Sequence, residues 1–81
     1  LAYRGLGNFY LKNQQFDTSE KNYTRAIEIN DNRFGPIYKN RGYVRQQQNK
    51  MEQAKEDFQN YIKFTPNAKD RGMIERALNE M

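Results

Sequence analysis

The sequence predicts an all-α domain of two antiparallel helical hairpins followed by one terminal helix, five helices in all. Three observations support this prediction: an internal repeat, apolar side chains at helical spacing, and turn-forming residues at matching places in the two halves. Sliding the chain by 35 residues superposes side chains of similar class and size at successive positions. These pairs are Tyr3 with Tyr38, Gly7 with Gly42, Phe16 with Met51, Ser19 with Ala54, Tyr23 with Phe58, and Ile27 with Ile62. Duplication of one helical unit explains this shared order better than chance does.

The first unit, residues 1–34, reads as two helices joined by a short turn. Apolar or small residues of its first helix recur at the i, i+3, i+4 and i+7 spacing that places them on one face: Tyr3, Leu6, Gly7 and Tyr10. The second helix carries a matching stripe: Phe16, Ser19, Tyr23, Ala26 and Ile27. The turn is Asn13-Gln14-Gln15, and we expect Asn13 to adopt the left-handed conformation that asparagine tolerates.

The second unit, residues 35–67, repeats this pattern. Its turn is Gln48-Asn49-Lys50, where Asn49 is expected to be left-handed, and its second helix ends at Thr65-Pro66-Asn67. Residues 30–36 are rich in asparagine and contain Gly35 and Pro36, so we expect them to end the preceding helix and to join the two units.

Small residues at equivalent places predict close helix crossings. Gly7 and Ser19 in the first unit, and Gly42 and Ala54 in the second, are expected where the two helices of each hairpin meet. A glycine inside a helix costs about 0.5–1 kcal/mol relative to alanine, so two glycines at matching positions indicate a steric demand.

Residues 68–81 predict a fifth, amphipathic helix that caps the open end of the second hairpin. One face is apolar: Met73, Ile74, Ala77, Leu78 and Met81. The opposite face is polar: Glu75, Arg76, Asn79 and Glu80.

The order aromatic, Leu, Gly, Tyr, Phe, small, Tyr, Ala in the first unit resembles the tetratricopeptide repeat, a helix–turn–helix unit of typically 34 residues. The residues that carry this resemblance are Tyr3, Leu6, Gly7, Tyr10, Phe16, Ser19, Tyr23 and Ala26, matched in the second unit by Tyr38, Gly42, Met51, Ala54, Phe58 and Pro66. The resemblance implies one tetratricopeptide-like domain over residues 1–81, wound as a right-handed superhelix, with repeats at 1–34 and 35–67 and a capping helix at 68–81.

The chain departs from the family pattern at several positions. Asp31 replaces the proline that commonly closes a repeat, and Arg41 and Arg45 stand where Leu and Tyr are expected. Tyr61 replaces a small residue, which suits a last repeat whose tyrosine packs on the capping helix. We therefore expect the C-terminal part of a longer array. Two repeats are fewer than the three or so that such folds normally need, so further repeats or self-association of the chain are also expected.

The resemblance also implies that the first helices of the hairpins line a concave groove for a peptide or a partner helix. We expect this groove to be lined by Arg4, Asn8, Leu11 and Lys12 from the first unit and by Lys39, Asn40, Tyr43 and Gln47 from the second. Its basic and amide side chains favour an acidic segment or a free C-terminus. Arg4, Asn8 and Asn40 resemble part of the carboxylate clamp by which some family members bind acidic chaperone tails, although Asp70 and Ile74 occupy the places of further clamp cations.

Composition argues against an enzyme or a metal protein. The chain has no histidine and no cysteine, which removes the commonest general base and the commonest metal ligands. Two carboxylate pairs, Asp17 with Glu20 and Glu56 with Asp57, have no base or nucleophile beside them, and we expect them to face solvent or a helix N-terminus. No cofactor is implied. No apolar run approaches the roughly 18–20 residues that span a bilayer, so we expect a soluble chain whose compartment is unknown, with the cytoplasm slightly favoured.

Two alternatives to a peptide-binding function stay open. The formal charge of +4, with 14 basic and 10 acidic residues, permits acidic partners, and cations mixed with aromatic rings would suit single-stranded nucleic acid. The residues for that function would be Tyr38, Lys39, Arg41, Tyr43 and Arg45. We expect the arginines instead to be solvated or paired with acidic neighbours. The chain could also be a purely structural part of a longer repeat array.

Overall fold

The computed structural model describes residues 2–31 and 34–81, and these residues form five α-helices and no strand. The helices are α1 (Tyr3–Lys12), α2 (Phe16–Ala26), α3 (Gly35–Gln47), α4 (Met51–Phe64) and α5 (Arg71–Glu80). Helices α1 and α2 form one hairpin, α3 and α4 form the second, and α5 packs on α4. The all-α prediction with five helices is confirmed.

The junction between the hairpins differs from the predicted break at residues 30–36. Helix α2 continues into a π-helical turn, Ile27–Asp31, and helix α3 already begins at Gly35. Pro36 lies in the first turn of α3, where its missing N–H costs nothing because that N–H would have no partner in the helix. Within the predicted break, Asn32 and Arg33 lie outside the described residues.

The two hairpin turns place one residue each in the left-handed region. These residues are Gln14, with φ of 61°, and Asn49, with φ of 62°, so the prediction for Asn49 is right and that for Asn13 is wrong. Asn13 keeps a negative φ, and its side-chain amide donates to the Phe9 carbonyl at 2.8 Å, which satisfies a carbonyl near the helix end. The left-handed residues of the two turns are 35 positions apart, which matches the repeat seen in the sequence.

Both predicted glycine crossings are present. A β-carbon built on Gly7 would lie 2.5 Å from a ring atom of Tyr23, and one built on Gly42 would lie 2.9 Å from the ring of Phe58. Ser19 is buried beside the first crossing, where its hydroxyl donates to the Gly7 carbonyl at 2.7 Å. The small residues therefore allow aromatic rings of the second helix to lie directly against the backbone of the first.

The main apolar cluster lies between the two hairpins. Its buried members are Tyr23, Ala26, Ile37, Tyr38, Val44 and Tyr61. Several residues of the predicted core stripes do not reach this cluster, and two of them are exposed: Tyr3 by 40% and Met51 by 41%. Tyr3 lies in the first turn of α1, on its outer side, and Met51 is the first residue of α4, so few other elements surround either side chain.

Helix α5 fits the expected capping helix, but no residue of it is fully buried. Ile74, Ala77 and Leu78 are half-buried, whereas Met73, which was predicted on the apolar face, is 72% exposed. The segment before α5 is attached by Tyr61, whose hydroxyl donates to Asp70 at 2.5 Å, so the bulky Tyr61 packs at the start of the capping helix as expected. Within the described ranges, no helix has both the length and the apolar character needed to cross a bilayer.

Candidate functional site

A cleft of 430 Å³ opens between α1, α3, α4 and α5, and we call it the central cleft. Its lining residues are Leu11, Lys39, Asn40, Tyr43, Gln46, Phe58, Asp70, Met73, Ile74 and Ala77. Four of the eight predicted groove residues are among them: Leu11, Lys39, Asn40 and Tyr43. The Tyr43 side chain is 48% exposed, and the uncharged residues of α5 form the opposite wall. The cleft is therefore more apolar than the basic, amide-rich groove that the sequence suggested.

Two further predicted residues, Asn8 and Arg4, do not line the cleft and have partners within the chain. The Asn8 side-chain oxygen accepts hydrogen bonds from the Tyr23 hydroxyl and, at 3.3 Å, from the Asn40 amide. These bonds connect α1 to α2 and α3. The Arg4 guanidinium lies 4.3 Å from the centroid of the Phe34 ring, a cation–π contact.

The last two predicted residues are not brought to the central cleft. Lys12 is exposed in the last turn of α1. Gln47 lines a different and more polar cleft of 560 Å³ at the hairpin turns, together with residues such as Phe16, Asp17 and Lys50.

An ion pair within the central cleft reduces its basic character. The Lys39 ammonium lies 2.9 Å from one Asp70 oxygen, while the other Asp70 oxygen accepts from Tyr61. The hydrogen bonds from Tyr61 and Lys39 lower the pKa of Asp70, and burial together with the Asp70 charge raises the pKa of Tyr61 to about 12. The charge of Lys39 is thus already paired with a carboxylate of the same chain.

Several lining residues were not assigned to the groove from the sequence. Gln46 and Phe58 lie on α3 and α4, and Met73 and Ala77 lie on α5. The sequence signal for the α5 residues is the apolar stripe of the terminal helix, from which only a capping role was predicted. In the structure that helix both caps the second hairpin and forms a wall of the cleft.

A buried ionic network connects α2, α3 and α4 and takes up one member of each acidic pair, Glu20 and Asp57, for which the predicted position at solvent or a helix N-terminus is wrong; Asp17 and Glu56 are exposed, and Asp17 lies in the first turn of α2, as predicted. Asp57 is fully buried and binds Arg41 through two hydrogen bonds, of 2.9 and 2.7 Å. Arg45 donates to Asp57 at 3.0 Å and to Glu20 at 2.8 Å. Asp57 and Glu20 are therefore structural residues whose charges are matched by the two arginines.

Glu20, the acidic residue of α2 in this network, accepts hydrogen bonds from several side chains. Besides Arg45, Glu20 accepts from Lys50 at 2.7 Å and from Gln48 at 3.2 Å. Burial alone would raise the pKa of Glu20, but the hydrogen bonds from Lys50, Arg45 and Gln48 outweigh it and lower the pKa to about 2.

The family model of the tetratricopeptide repeat matches the chain twice in succession, at residues 2–33 and 36–67. The chain belongs to the tetratricopeptide-repeat family. Tetratricopeptide repeats generally mediate protein–protein interaction and are generally not enzymes. No curated protein and no solved structure gives a significant match to the chain.

The contacts of Arg4, Asn8 and Asn40 give little support for the carboxylate clamp known from some tetratricopeptide proteins. Arg4 contacts Phe34, and the Asn8 and Asn40 amides bond to each other. Asp70 adds a carboxylate to the cleft at a place where a clamp would carry a cation. A clamp for acidic tails stays a prediction without support from these contacts.

The residues suggested for nucleic-acid binding are mostly engaged within this tetratricopeptide domain. Tyr38 and Arg41 are buried, and the Arg45 side chain is only 12% exposed in its pair with Glu20. Lys39 pairs with Asp70, which leaves Tyr43 as the exposed ring of the set. The expectation that the arginines pair with acidic neighbours matches the contacts. Among the described residues, no group of three acidic side chains lies close enough to hold a metal ion.

Proposed function

We propose that the chain is an interaction module that binds a peptide segment or a partner helix of another protein in the central cleft. The observation that carries this proposal is the combination of an open cleft, residues of four helices that line it, and an exposed aromatic ring, Tyr43, on its wall. Tetratricopeptide repeats generally bind proteins, and exposed tyrosines are among the residues that contribute most to such contacts.

The lining residues favour an apolar anchor on the ligand. Leu11, Tyr43, Met73 and Ile74 offer aliphatic and aromatic surface on three helices. A ligand helix presents apolar side chains at i, i+3 or i+4 and i+7, which matches a groove between helices. We infer that burial of such side chains provides most of the affinity.

Polar groups of the cleft would orient the ligand. Asn40 and Gln46 carry amides that can both donate to and accept from a peptide backbone. Lys39, the cation among the lining residues, already pairs with Asp70, and Arg4 lies over Phe34 outside the lining. Acidic residues on the ligand would therefore add specificity rather than most of the affinity.

A selection experiment tests the proposal. The immobilised chain would be screened against a random peptide library, and a selected synthetic peptide would be titrated by calorimetry. Replacing Tyr43 by alanine should weaken binding about 10- to 100-fold, as for an aromatic residue at the centre of an interface. Tyr3→Ala is the matched control, because Tyr3 is similarly exposed but does not line the cleft.

The outcomes separate the competing functions. Equal affinities of the Tyr43→Ala and Tyr3→Ala variants would show that the ligand does not bind in the central cleft. Failure to select any peptide would favour a purely structural role in a repeat array. Affinity that falls steeply between about 50 and 200 mM salt would indicate binding through charges instead of apolar anchors.

A further inference from the structure

The central cleft contains a carboxylate among walls that are otherwise mostly apolar, and that carboxylate is held in place. Asp70 and Lys39 are the charged side chains of the lining in the part of the chain that the structure describes. One Asp70 oxygen lies 2.9 Å from the Lys39 ammonium, and the other accepts from the Tyr61 hydroxyl at 2.5 Å. Because the Tyr61 ring is buried, its hydroxyl keeps the carboxylate at the cleft even when Lys39 contacts another group.

Capping of α5 does not account for this carboxylate. Asp70 lies directly before α5, where aspartate is favoured because its side chain can accept from the first N–H groups of a helix. The Asp70 side chain makes no such bond. It bonds instead to Lys39 of α3 and Tyr61 of α4. The negative charge of Asp70 is therefore presented to the cleft rather than to the end of its own helix.

An acidic group that a ligand brings to Lys39 must lie close to this carboxylate. A charge-assisted hydrogen bond from an ammonium to a carboxylate measures about 2.7–2.9 Å. A ligand oxygen bonded to Lys39 therefore lies within about 6 Å of the Asp70 oxygen that shares the ammonium. The hydrogen bonds from Tyr61 and Lys39 lower the pKa of Asp70, so its carboxylate is charged at neutral pH. The screening length at physiological salt is roughly 8 Å, so the two carboxylates repel each other.

We propose that Asp70 determines the specificity of the central cleft by excluding peptide segments that carry an acidic side chain near Lys39. This inference rests on the proposed function of the cleft, and it names the residue that keeps acidic groups from providing most of the affinity. The formal charge of +4 attracts acidic segments at long range, whereas Asp70 opposes them at contact. The ligand is thus a segment with apolar anchors and with uncharged groups where it meets Lys39.

Parallel selections test the role of Asp70. The chain and its Asp70→Asn variant would be screened against the same random peptide library, and the acidic fraction of the selected peptides would be compared with that of the input library. The native chain should select peptides with fewer acidic residues than the input, whereas Asp70→Asn should enrich them, because the charge of Lys39 is then unpaired. An acidic peptide selected by the variant should bind it about 3- to 10-fold tighter than it binds the native chain, and high salt should reduce this difference.

Control variants separate specificity from structure. Glu56→Gln changes the net charge by the same amount, but Glu56 is exposed on α4 and outside the lining, so the peptides selected should match those of the native chain. Lys39→Met added to Asp70→Asn should abolish the enrichment, since Lys39 is the cation that the acidic residue would contact. Asp70→Ser also suits the position before a helix and should give the same enrichment as Asp70→Asn, with helical content checked by circular dichroism.

The outcomes distinguish this inference from the proposed function. If the native chain selects peptides and the Asp70 variants leave their acidic fraction unchanged, the role of Asp70 is refuted while peptide binding stands. If only the Asp70 variants select peptides, and these are acidic, the role of Asp70 is supported and peptide binding by the native cleft is refuted. Failure of every variant to select a peptide overturns both.

Discussion

Replacing Gly7 by alanine tests the close helix crossing on which the first hairpin depends. The new methyl carbon would lie 2.5, 2.6 and 2.9 Å from three ring atoms of Tyr23. The ring has little freedom to move away, because Tyr23 is fully buried and its hydroxyl is bonded to Asn8. The substitution therefore forces α1 and α2 apart or distorts the packing of Tyr23.

The expected magnitude follows from two opposing contributions. Forcing an extra carbon into a packed contact costs about 1–3 kcal/mol. Alanine in place of glycine within a helix returns about 0.5–1 kcal/mol. We expect Gly7→Ala to lower the free energy of unfolding by about 1–2 kcal/mol, and to lower the melting temperature by about 4–8 °C for each kcal/mol.

Gly5 provides the control within the same helix. No atom lies within 4 Å of a β-carbon built on Gly5, so Gly5→Ala should raise the free energy of unfolding by about 0.5–1 kcal/mol. Gly42→Ala should destabilise less than Gly7→Ala, because its closest contact is 2.9 Å. Urea unfolding followed by circular dichroism measures all three variants. Equal stabilisation by Gly5→Ala and Gly7→Ala would refute the close crossing.

Two further predictions concern the buried ionic network. Asp57→Ala should lower the free energy of unfolding by about 3–5 kcal/mol, because it leaves Arg41 and Arg45 without their shared buried carboxylate. The double variant Arg41→Met/Asp57→Leu should recover most of that loss in urea unfolding, and no recovery would contradict the assignment. The pKa of Glu20 is lowered to about 2 in the folded chain, so its contribution to stability is complete above the unfolded pKa of about 4.3 and is lost as pH falls towards 2. Glu20→Gln should remove that part of the acid dependence of the melting temperature, and an unchanged dependence would show that Glu20 is not the group responsible.

The fold was predictable because its determinants are local or periodic. Apolar spacing of 3 and 4 residues predicts helices directly, and the 35-residue shift relates one hairpin to the other. The crossings at Gly7 and Gly42 followed from the same shift, since a glycine within a helix needs a steric reason. The left-handed residue in the first turn was misassigned because Asn13 satisfies the end of α1 with its side chain, which leaves Gln14 to turn the chain.

The buried charges were not predictable from spacing, because a carboxylate at helical spacing usually faces solvent. Asp57 is buried because two arginines on α3 reach it, and those contacts span 16 and 12 residues of the chain. The signal was present as Arg41 and Arg45 at positions where the repeat normally carries apolar residues. A cation at a core position requires a buried partner, and the sequence alone does not show which carboxylate provides it.

The charge of the cleft also depends on contacts between residues that are distant in sequence. Lys39 was expected to give the groove its charge, but the pair with Asp70 joins residues 31 apart. Tyr61 and Lys39 both donate to the Asp70 carboxylate, which lies directly before α5. The helix faces could be projected from the sequence, whereas the tilt that brings α5 to the cleft depends on tertiary packing.

The contact between the two hairpins combines apolar packing with charge pairing, since the main apolar cluster and the ion pair of Arg45 with Glu20 both lie there. A helix that lacked the carboxylate of Glu20 would leave Arg45 with one fewer acceptor, so this pair favours α2 over a helix without a carboxylate at that place. The equivalent positions of α1 hold Leu6 and Tyr10. These side chains are uncharged, so they require no carboxylate from a neighbouring helix. One repeat geometry thus carries an ionic contact on α3 and uncharged side chains at the equivalent positions of α1.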